Sequence, residues 1–251
     1  EDVIHDCIKS IVDEIKIIIV ENSGNKEFAS KIEERYKNVK CILSSKNLGM
    51  GAGNNLGLKN IKTDYVLILN PDVILKKDTL EEIIIASKRI DNFGLIAPIS
   101  DNLKFPNYKI NKKNKLTNNI DPFEVDTVDG FAMILNLRKL KKLDQFKDNI
   151  FFDENIFLYL ENDDLCKRIR KYENIFIVPK SKINHLGASG VNRKYSEQIE
   201  LSRNWHWIWS KFYFNKKHYG FFKAFFDGLP SFLSAILKVL FYSLFDHKKK
   251  A

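Results

Sequence analysis

Cysteine and long apolar runs are both scarce in this chain of 251 residues. Cys7, Cys41 and Cys166 are odd in number and widely spaced, which argues against a disulfide framework or a zinc knuckle and fits a reducing compartment. The longest uncharged run of the C-terminal tail, Gly228 to Leu237, is well short of the roughly 18 residues expected of a spanning helix. Pro230 and Lys238 interrupt it further. No signal-peptide pattern opens the chain, which begins on Glu1 without a methionine, so a fragment or trimmed chain is expected. Internal repeats are absent, and so are helix-turn-helix and RNA-recognition signatures.

What is present points to a globular protein. Hydrophobic residues make up 44% and charged residues 29%, enough to bury a substantial core in one large domain or one domain plus an appendage. A net charge of +9 implies attraction to something anionic: nucleic acid, acidic lipid or a phosphorylated substrate.

Along the chain, apolar β-branched runs alternate with helical spacing. Val3, Ile4, Cys7, Ile8, Ile11 and Val12 suggest a helix over 2–12. Residues 15–20, "IKIIIV", read as a parallel strand covered on both faces. Helix follows at 26–37, strand at 39–43, helix at 51–61, strand at 65–69, helix at 78–90 and strand at 94–98. The alternation predicts an α/β fold with a doubly wound, mostly parallel sheet flanked by helices. Residues 100–125 read as a long basic loop. A strand at 175–178 and an aromatic-rich helix over 195–218 close the pattern.

Ligands of such sheets bind where strand ends meet their loops. The loop "NLGMGAGNNLG" (47–57) follows a strand and opens a helix, so its backbone N–H groups can approach a phosphate or sugar. Gly49 and Gly51 match the start of a dinucleotide fingerprint, but Asn54 replaces its third glycine, which argues against a nicotinamide cofactor. Asn70-Pro71-Asp72 ends a strand in a stiff turn; Asp72 is either a turn residue or an oxygen ligand for a hard divalent cation. Glu161, Asp163 and Asp164 gather where an apolar stretch gives way to a helix. Caps account for one or two of them, leaving at least one as a candidate general base. His185 follows a strand and is either structural or a metal ligand. In the tail over 219–250, aromatics interspersed with lysines and a closing Lys248-Lys249-Lys250 suit a segment lying in the membrane interface.

In order, "ENS" (21–23), "NLGMGAGNNLG", "LNPD", "DGFAMIL", "FLYLENDDLCKR" and "HLGASG" resemble the inverting family-2 glycosyltransferases with a GT-A fold, especially their rhamnosyltransferase-like branch. The resemblance covers about residues 1–190. It implies a GT-A domain over 1–194 that lacks the first strand of the family, followed by an aromatic and basic helical region over 195–251. It also implies donor-binding roles for Glu21, Ser23, Asn47, Gly49, Asn54 and Asn70, with Gly130 and Met133 lining the sugar and acceptor pocket. Asp72 matches the last aspartate of the family's metal motif, and His185 a histidine that helps hold the metal or diphosphate. Mg2+ or Mn2+ is the implied cofactor.

Glu161 and Asn162 occupy the position of the acid pair that supplies the catalytic base. Because Asn162 cannot take a proton, the base is Glu161, with Asp163 or Asp164 as substitutes. The implied reaction is inverting transfer from a nucleoside-diphosphate sugar, dTDP-rhamnose being one such donor, to a lipid-linked or polysaccharide acceptor in cell-surface polysaccharide synthesis. The implied location is cytoplasmic, peripheral to the inner face of the plasma membrane, with the tail on anionic lipid. The competing readings are an inactive scaffold of the same fold, a nucleotidyltransferase and a nucleic-acid-binding protein. Widely spread lysines and missing motifs argue against the last.

Overall fold

The structure, a computed structural model, describes residues 2–12, 14–102, 105–110, 120–146, 148–187 and 196–244. Parts of three expectations fall outside these residues: the middle of the basic loop at 111–119, the end of "HLGASG" at 188–190, and the closing lysines at 248–250. The chain forms two compact units, Glu1–Phe157 with Glu161–Ser196, and Leu158–Leu160 with Glu197–Ala251.

The first unit begins with helix α1 (Asp2–Lys9), strand β1 (Ile17–Glu21), helix α2 (Lys26–Arg35) and strand β2 (Val39–Leu43). β1 and β2 pair in parallel, Ile17 against Val39 through Glu21 against Leu43. α1 and α2 close over them: buried Ile8, Ile32 and Val39 cluster with Ile4, Ile17, Ile19 and Phe28. Asn25 caps α2 by accepting the Phe28 N–H at 3.0 Å. Among the described residues β1 pairs along one edge only. Its isoleucines are therefore half-buried, not covered on both faces as their β-branched run suggests.

Helix α3 (Gly49–Leu58), strands β3 (Tyr65–Leu69) and β4 (Val73–Leu75), helix α4 (Thr79–Arg89) and strand β5 (Phe93–Ser100) come next. Three two-residue strands, β6 (Tyr108–Lys109), β7 (Phe123–Glu124) and β8 (Thr127–Val128), lead into β9 (Ala132–Asn136). The short helix α5 (Leu137–Leu140), helix α6 (Glu161–Ile169) and the long strand β10 (Asn174–His185) complete the unit. The larger sheet has the order β3-β9-β5-β10-β4, with β7 also on β10. β9 runs antiparallel to both β3 and β5, so those two run the same way, and β10 follows β5 in parallel. The α/β sheet flanked by helices is as expected, but the larger sheet is mixed and not mostly parallel: β9, β4 and β7 run against β3, β5 and β10.

Period-two alternation, broken once by a register shift between Phe93 and Leu95, sorts this sheet's side chains between two helical layers. Leu95, Ala97, Met133 and Leu135 pack with Leu165, Cys166 and Ile169 of α6. On the other face Phe93, Ile96, Ile134 and Val178 pack with Ile83 and Ala86 of α4. Each such aliphatic or aromatic side chain stabilises the fold by about 1.5–3 kcal/mol.

The second unit is built from helices α7 (Ser196–Tyr219) and α8 (Phe221–Leu244), joined at Gly220. The Asn215 side chain donates to Asp227 at 3.1 Å, and Phe212 meets Phe221 edge to face. Most of its large apolar residues are exposed, including Trp205, Phe222, Phe226, Leu237 and Leu240. α8 corrects the expectation of a tail too short to span a membrane. It runs unbroken through Pro230, and Phe221–Phe241 is by length and composition long and apolar enough to cross a bilayer. A linear count of uncharged residues misses this because it stops at Asp227 and Lys238, although the helix around them is apolar on balance and Asp227 pairs with Lys223, four residues earlier, at 2.6 Å.

Candidate active site

Three strand ends supply the first part of the site. At the end of β1, Glu21 accepts hydrogen bonds from the Ser23 hydroxyl (2.5 Å) and from the backbone N–H groups of Ser23 and Asn25. Its slight burial raises the carboxyl pKa, but these bonds outweigh it and hold Glu21 below the ordinary glutamate value. Asn22, which the motif reading passed over, organises the glycine-rich loop. Its side-chain Oδ1 accepts the Leu48 N–H, and its side-chain Nδ2 donates to Asn47 Oδ1 and to the Gly49 carbonyl. Asn47 Oδ1 in turn accepts the Gly49 N–H at 3.0 Å.

Gly49 has φ +80°, and a Cβ there would lie 2.3 Å from the Phe157 carbonyl oxygen, so only glycine fits this approach. On α3 the side-chain amide nitrogen of Asn54 is buried without a partner. Its neighbour Asn55, fully buried, instead ties α3 to 151–154 through the backbone of Phe151 and Phe152 and the Glu154 carboxylate.

The Asn70-Pro71-Asp72 turn lies between β3 and β4. The Asn70 N–H donates to the Phe131 carbonyl at 2.9 Å, and the Asn70 carbonyl accepts from Val73. Asp72 Oδ2 stands 3.4 Å from His185 Nε2, and the Asp72 carbonyl accepts the Leu186 N–H. The pairing of β4 with β10 sets this up, because His185 lies opposite Val73. His185 also stacks on Phe131 with ring centroids 4.1 Å apart. Both side chains are mostly shielded from solvent, at 19% exposure for His185 and 17% for Asp72.

The acids of α6 separate into different roles. Asp164 is fully buried and holds Arg168 Nε at 2.8 Å, while Arg168 also donates to the Phe151 carbonyl. As a base it is corrected: its charge is spent inside the core, on the partner one helical turn later. Asp163 sits 3.4 Å from the Lys109 amine. Asn162 donates its amide to the Val128 carbonyl at 2.7 Å, a bond that a carboxylate could not make. Glu161 is 3% exposed, and its Oε2 has no hydrogen-bond partner. Burial, with a smaller push from Asp163 and partly offset by a backbone N–H, raises its pKa to about 7.

Gly130 adjoins this carboxylate, since a Cβ built there would lie 3.6 Å from Glu161 Oε1 and 2.7 Å from the Met50 methyl. Met133 departs from its expected role. It points into the core and is fully buried among Leu95, Leu135 and Leu165, so it lines no open surface. Asp129, also unforeseen, connects the two halves of the site. Burial raises its pKa, and Lys109, Asp163 and His185 all act on its charge. The signal was its place beside Gly130 in "DGFAMIL".

The donor set of Asp72 and His185, one carboxylate oxygen and one imidazole nitrogen facing each other, fits a divalent cation. Among the described residues no cluster of three or more His, Cys, Asp or Glu side chains forms a complete metal cage. Such an ion would take its remaining ligands from substrate oxygens and water.

Comparison with known proteins shows the family and the fold. The model of glycosyl transferase family 2 matches residues 1–144, and the chain belongs to that family. It is similar to the rhamnosyltransferase WbbL of Escherichia coli K12, with 27% identity over 187 residues covering 62% of this chain and 67% of that one. It is also similar to an uncharacterized glycosyltransferase of Rickettsia typhi, with 24% identity covering 78% of this chain and 61% of that one. The chain thus spans about two thirds of the length of these relatives.

The fold is shared with GalNAc-T7 in its structure with UDP, GalNAc and Mn2+ (TM-score 0.57, 11% identity, covering 85% of this chain and 46% of that one). It is shared as well with S. aureus TarS 1-349 in complex with UDP-GlcNAc (TM-score 0.53, 15% identity, covering 90% and 72%). The GT-A fold and the rhamnosyltransferase-like character of the chain rest on these matches.

Proposed function

We propose that this chain transfers a sugar from a nucleoside-diphosphate donor to a hydroxyl of a lipid-linked or polysaccharide acceptor, with inversion at the anomeric carbon. The carrying observation is the buried, unpartnered Oε2 of Glu161, on a carboxylate whose other oxygen lies close to Gly130. With its pKa raised to about 7, Glu161 is ionised to a useful extent near neutrality and basic enough to take a proton. The acceptor hydroxyl gives that proton to Glu161 as its oxygen forms a bond to the anomeric carbon. The bond from that carbon to the nucleoside diphosphate breaks, and the diphosphate leaves with the electron pair.

Asp72 and His185 would hold Mg2+ or Mn2+, which when bound supplies charge stabilisation to the departing diphosphate. The loop built by Asn22, Asn47 and Gly49 and the free amide of Asn54 would bind the donor, with Glu21 and Ser23 shaping its entrance. The similarity to a rhamnosyltransferase supports a rhamnosyl donor, dTDP-rhamnose being one, and the product proposed is a cell-surface polysaccharide. The Mn2+ and UDP-sugar ligands of the structural neighbours support a metal-assisted nucleotide-sugar site.

In this reading residues 1–194 are the catalytic domain and 195–251 attach it to the cytoplasmic face of an anionic membrane. The exposed aromatics of α7 and the apolar length of α8 support that attachment. Vesicle sedimentation tests it: loss of 219–251 should abolish binding to anionic vesicles, and undiminished binding would refute the attachment.

Calorimetric titration against a panel of nucleotide sugars, with and without Mg2+ or Mn2+, tests the donor assignment. Metal-dependent binding of one donor is expected. Asp72→Asn should weaken it about ten- to a hundredfold, the worth of one charge-assisted contact of about 1.5–3 kcal/mol. Failure of every donor to bind would overturn the reading.

A further inference from the structure

Helix α1 and the two residues after it touch both layers of the first unit. Ile4 and Ile8 pack on the β1-β2 side, whereas Cys7, Ser10 and Ile11 meet the turn that carries Asp72 and the strand that follows it. That strand, β4, lies at the edge of the larger sheet and pairs only with β10 among the described residues. On its other edge the Leu75 N–H donates to Ser10 Oγ at 3.0 Å. The same hydroxyl donates to the Cys7 carbonyl in the last turn of α1 at 2.6 Å. Ser10 thus ties helix to strand by using its oxygen as both donor and acceptor, and it satisfies an edge N–H that has no strand to pair with. At the start of the turn the Cys7 thiol lies 3.7 Å from the Asn70 carbonyl, which also accepts the Val73 N–H. Burial, and next the charge of Asp72, push that thiol up to about 11, so it stays protonated and donates.

We propose that Ser10 is a positioning residue for Asp72 and His185. These two side chains meet at 3.4 Å because His185 lies opposite Val73. β4 has only the three residues Val73–Leu75, so its pairing with β10 is a short ladder that gains from an anchor on its free edge. Ser10 supplies that anchor, and Ile11 adds an apolar contact to the cluster of Val73, Leu75 and Ile183. Without the hydroxyl the Leu75 N–H turns to water, β4 loosens on β10, and the carboxylate no longer faces the imidazole at a fixed distance. The inference rests on the reading of Asp72 and His185 as metal ligands, but the link to Ser10 can be measured without metal or reaction.

Amide hydrogen exchange and Mn2+ binding on the full chain test it, the binding read from water proton relaxation with and without dTDP. Ser10→Ala should speed exchange at Leu75 about tenfold or more and leave β5 and β9 unchanged. It should weaken Mn2+ binding by about tenfold, the usual cost of losing a group that orients a metal ligand. Ser10→Thr keeps the hydroxyl and should hold both values within about twofold. In an Asp72→Asn background Ser10→Ala should still speed exchange but weaken Mn2+ binding no further, giving a non-additive cycle. Unchanged exchange at Leu75 in Ser10→Ala would overturn the link, as would a loss of protection spread over β5 and β9. Faster exchange with unaltered Mn2+ binding would overturn the positioning role alone. The metal reading fails separately: if the parent binds no Mn2+, or Asp72→Asn binds it equally well, Asp72 is no ligand, whatever exchange at Leu75 shows.

Discussion

Glu21 closes β1 at the mouth of one loop, and Glu161 opens α6 beside another. Between them they separate a carboxylate that builds a site from one that can act in it. The oxygens of Glu21 are taken up by the Ser23 hydroxyl and by the N–H groups of Ser23 and Asn25, and its pKa lies below the ordinary value. Glu161 keeps one oxygen with no partner in a buried place, and its pKa rises to about 7. Hydrogen bonds to a carboxylate favour its charge and use up its lone pairs; burial without them leaves a group ready to accept a proton. The difference lies in what the surrounding backbone offers each residue.

The largest expected effect breaks that comparison directly. Glu161→Gln keeps the volume and removes the proposed base, so transfer should fall by roughly 10²–10⁴-fold with donor binding retained. In the unaltered enzyme kcat should rise with pH through about 7 as Glu161 loses its proton. A rate that keeps its size and its pH profile in Glu161→Gln would move the base to Asp163, the remaining acid of α6 that is partly open to solvent.

A smaller effect concerns the neighbour. Asn162→Asp places an acid directly after Glu161. It also removes the donor to the Val128 carbonyl and sets a carboxylate against that carbonyl oxygen. The expected result is a stability loss of about 1–3 kcal/mol without a gain in transfer, read from thermal unfolding and turnover together. A faster, equally stable variant would show that position 162 can serve as the base and that the contrast drawn from Glu161 is incomplete.

The sequence made part of this legible. Strand-helix alternation announced α2, β2, β3 and α4 closely, and the proline-stiffened turn put Asp72 at a strand end as read. The grouping of acids at the start of α6 was visible too, and the ion pair that removes Asp164 was there to be read in its four-residue spacing from Arg168. Other features depend on pairing between distant segments. Nothing in "AMILN" says that β9 runs antiparallel between β3 and β5, and Met133 reads equally well as pocket lining or core until that register is known. Asn22 was hidden for the same reason, since its partners lie 25 to 27 residues away.

The smallest expected effect sharpens the pair by sign. The carboxyl pKa of Glu21 is lowered on folding, so its contribution to stability is present above the ordinary value of 4.5 and is lost as pH falls through the folded value. Glu161 is raised, so its protonated form favours the fold below 4.5, and that contribution is lost as pH rises through about 7. Glu21→Gln should therefore cost about 2 °C in Tm at neutral pH, a gap that closes in acid. Glu161→Gln should gain stability relative to the parent as pH climbs from about 5 to 8. Thermal melts from about pH 3 to 8 should show Glu21→Gln losing ground to the parent as pH rises to 4.5 and holding a constant offset above it, and Glu161→Gln gaining ground between about 5 and 7. Parallel curves would mean that the two glutamates share one environment and that the division of labour between them is wrong.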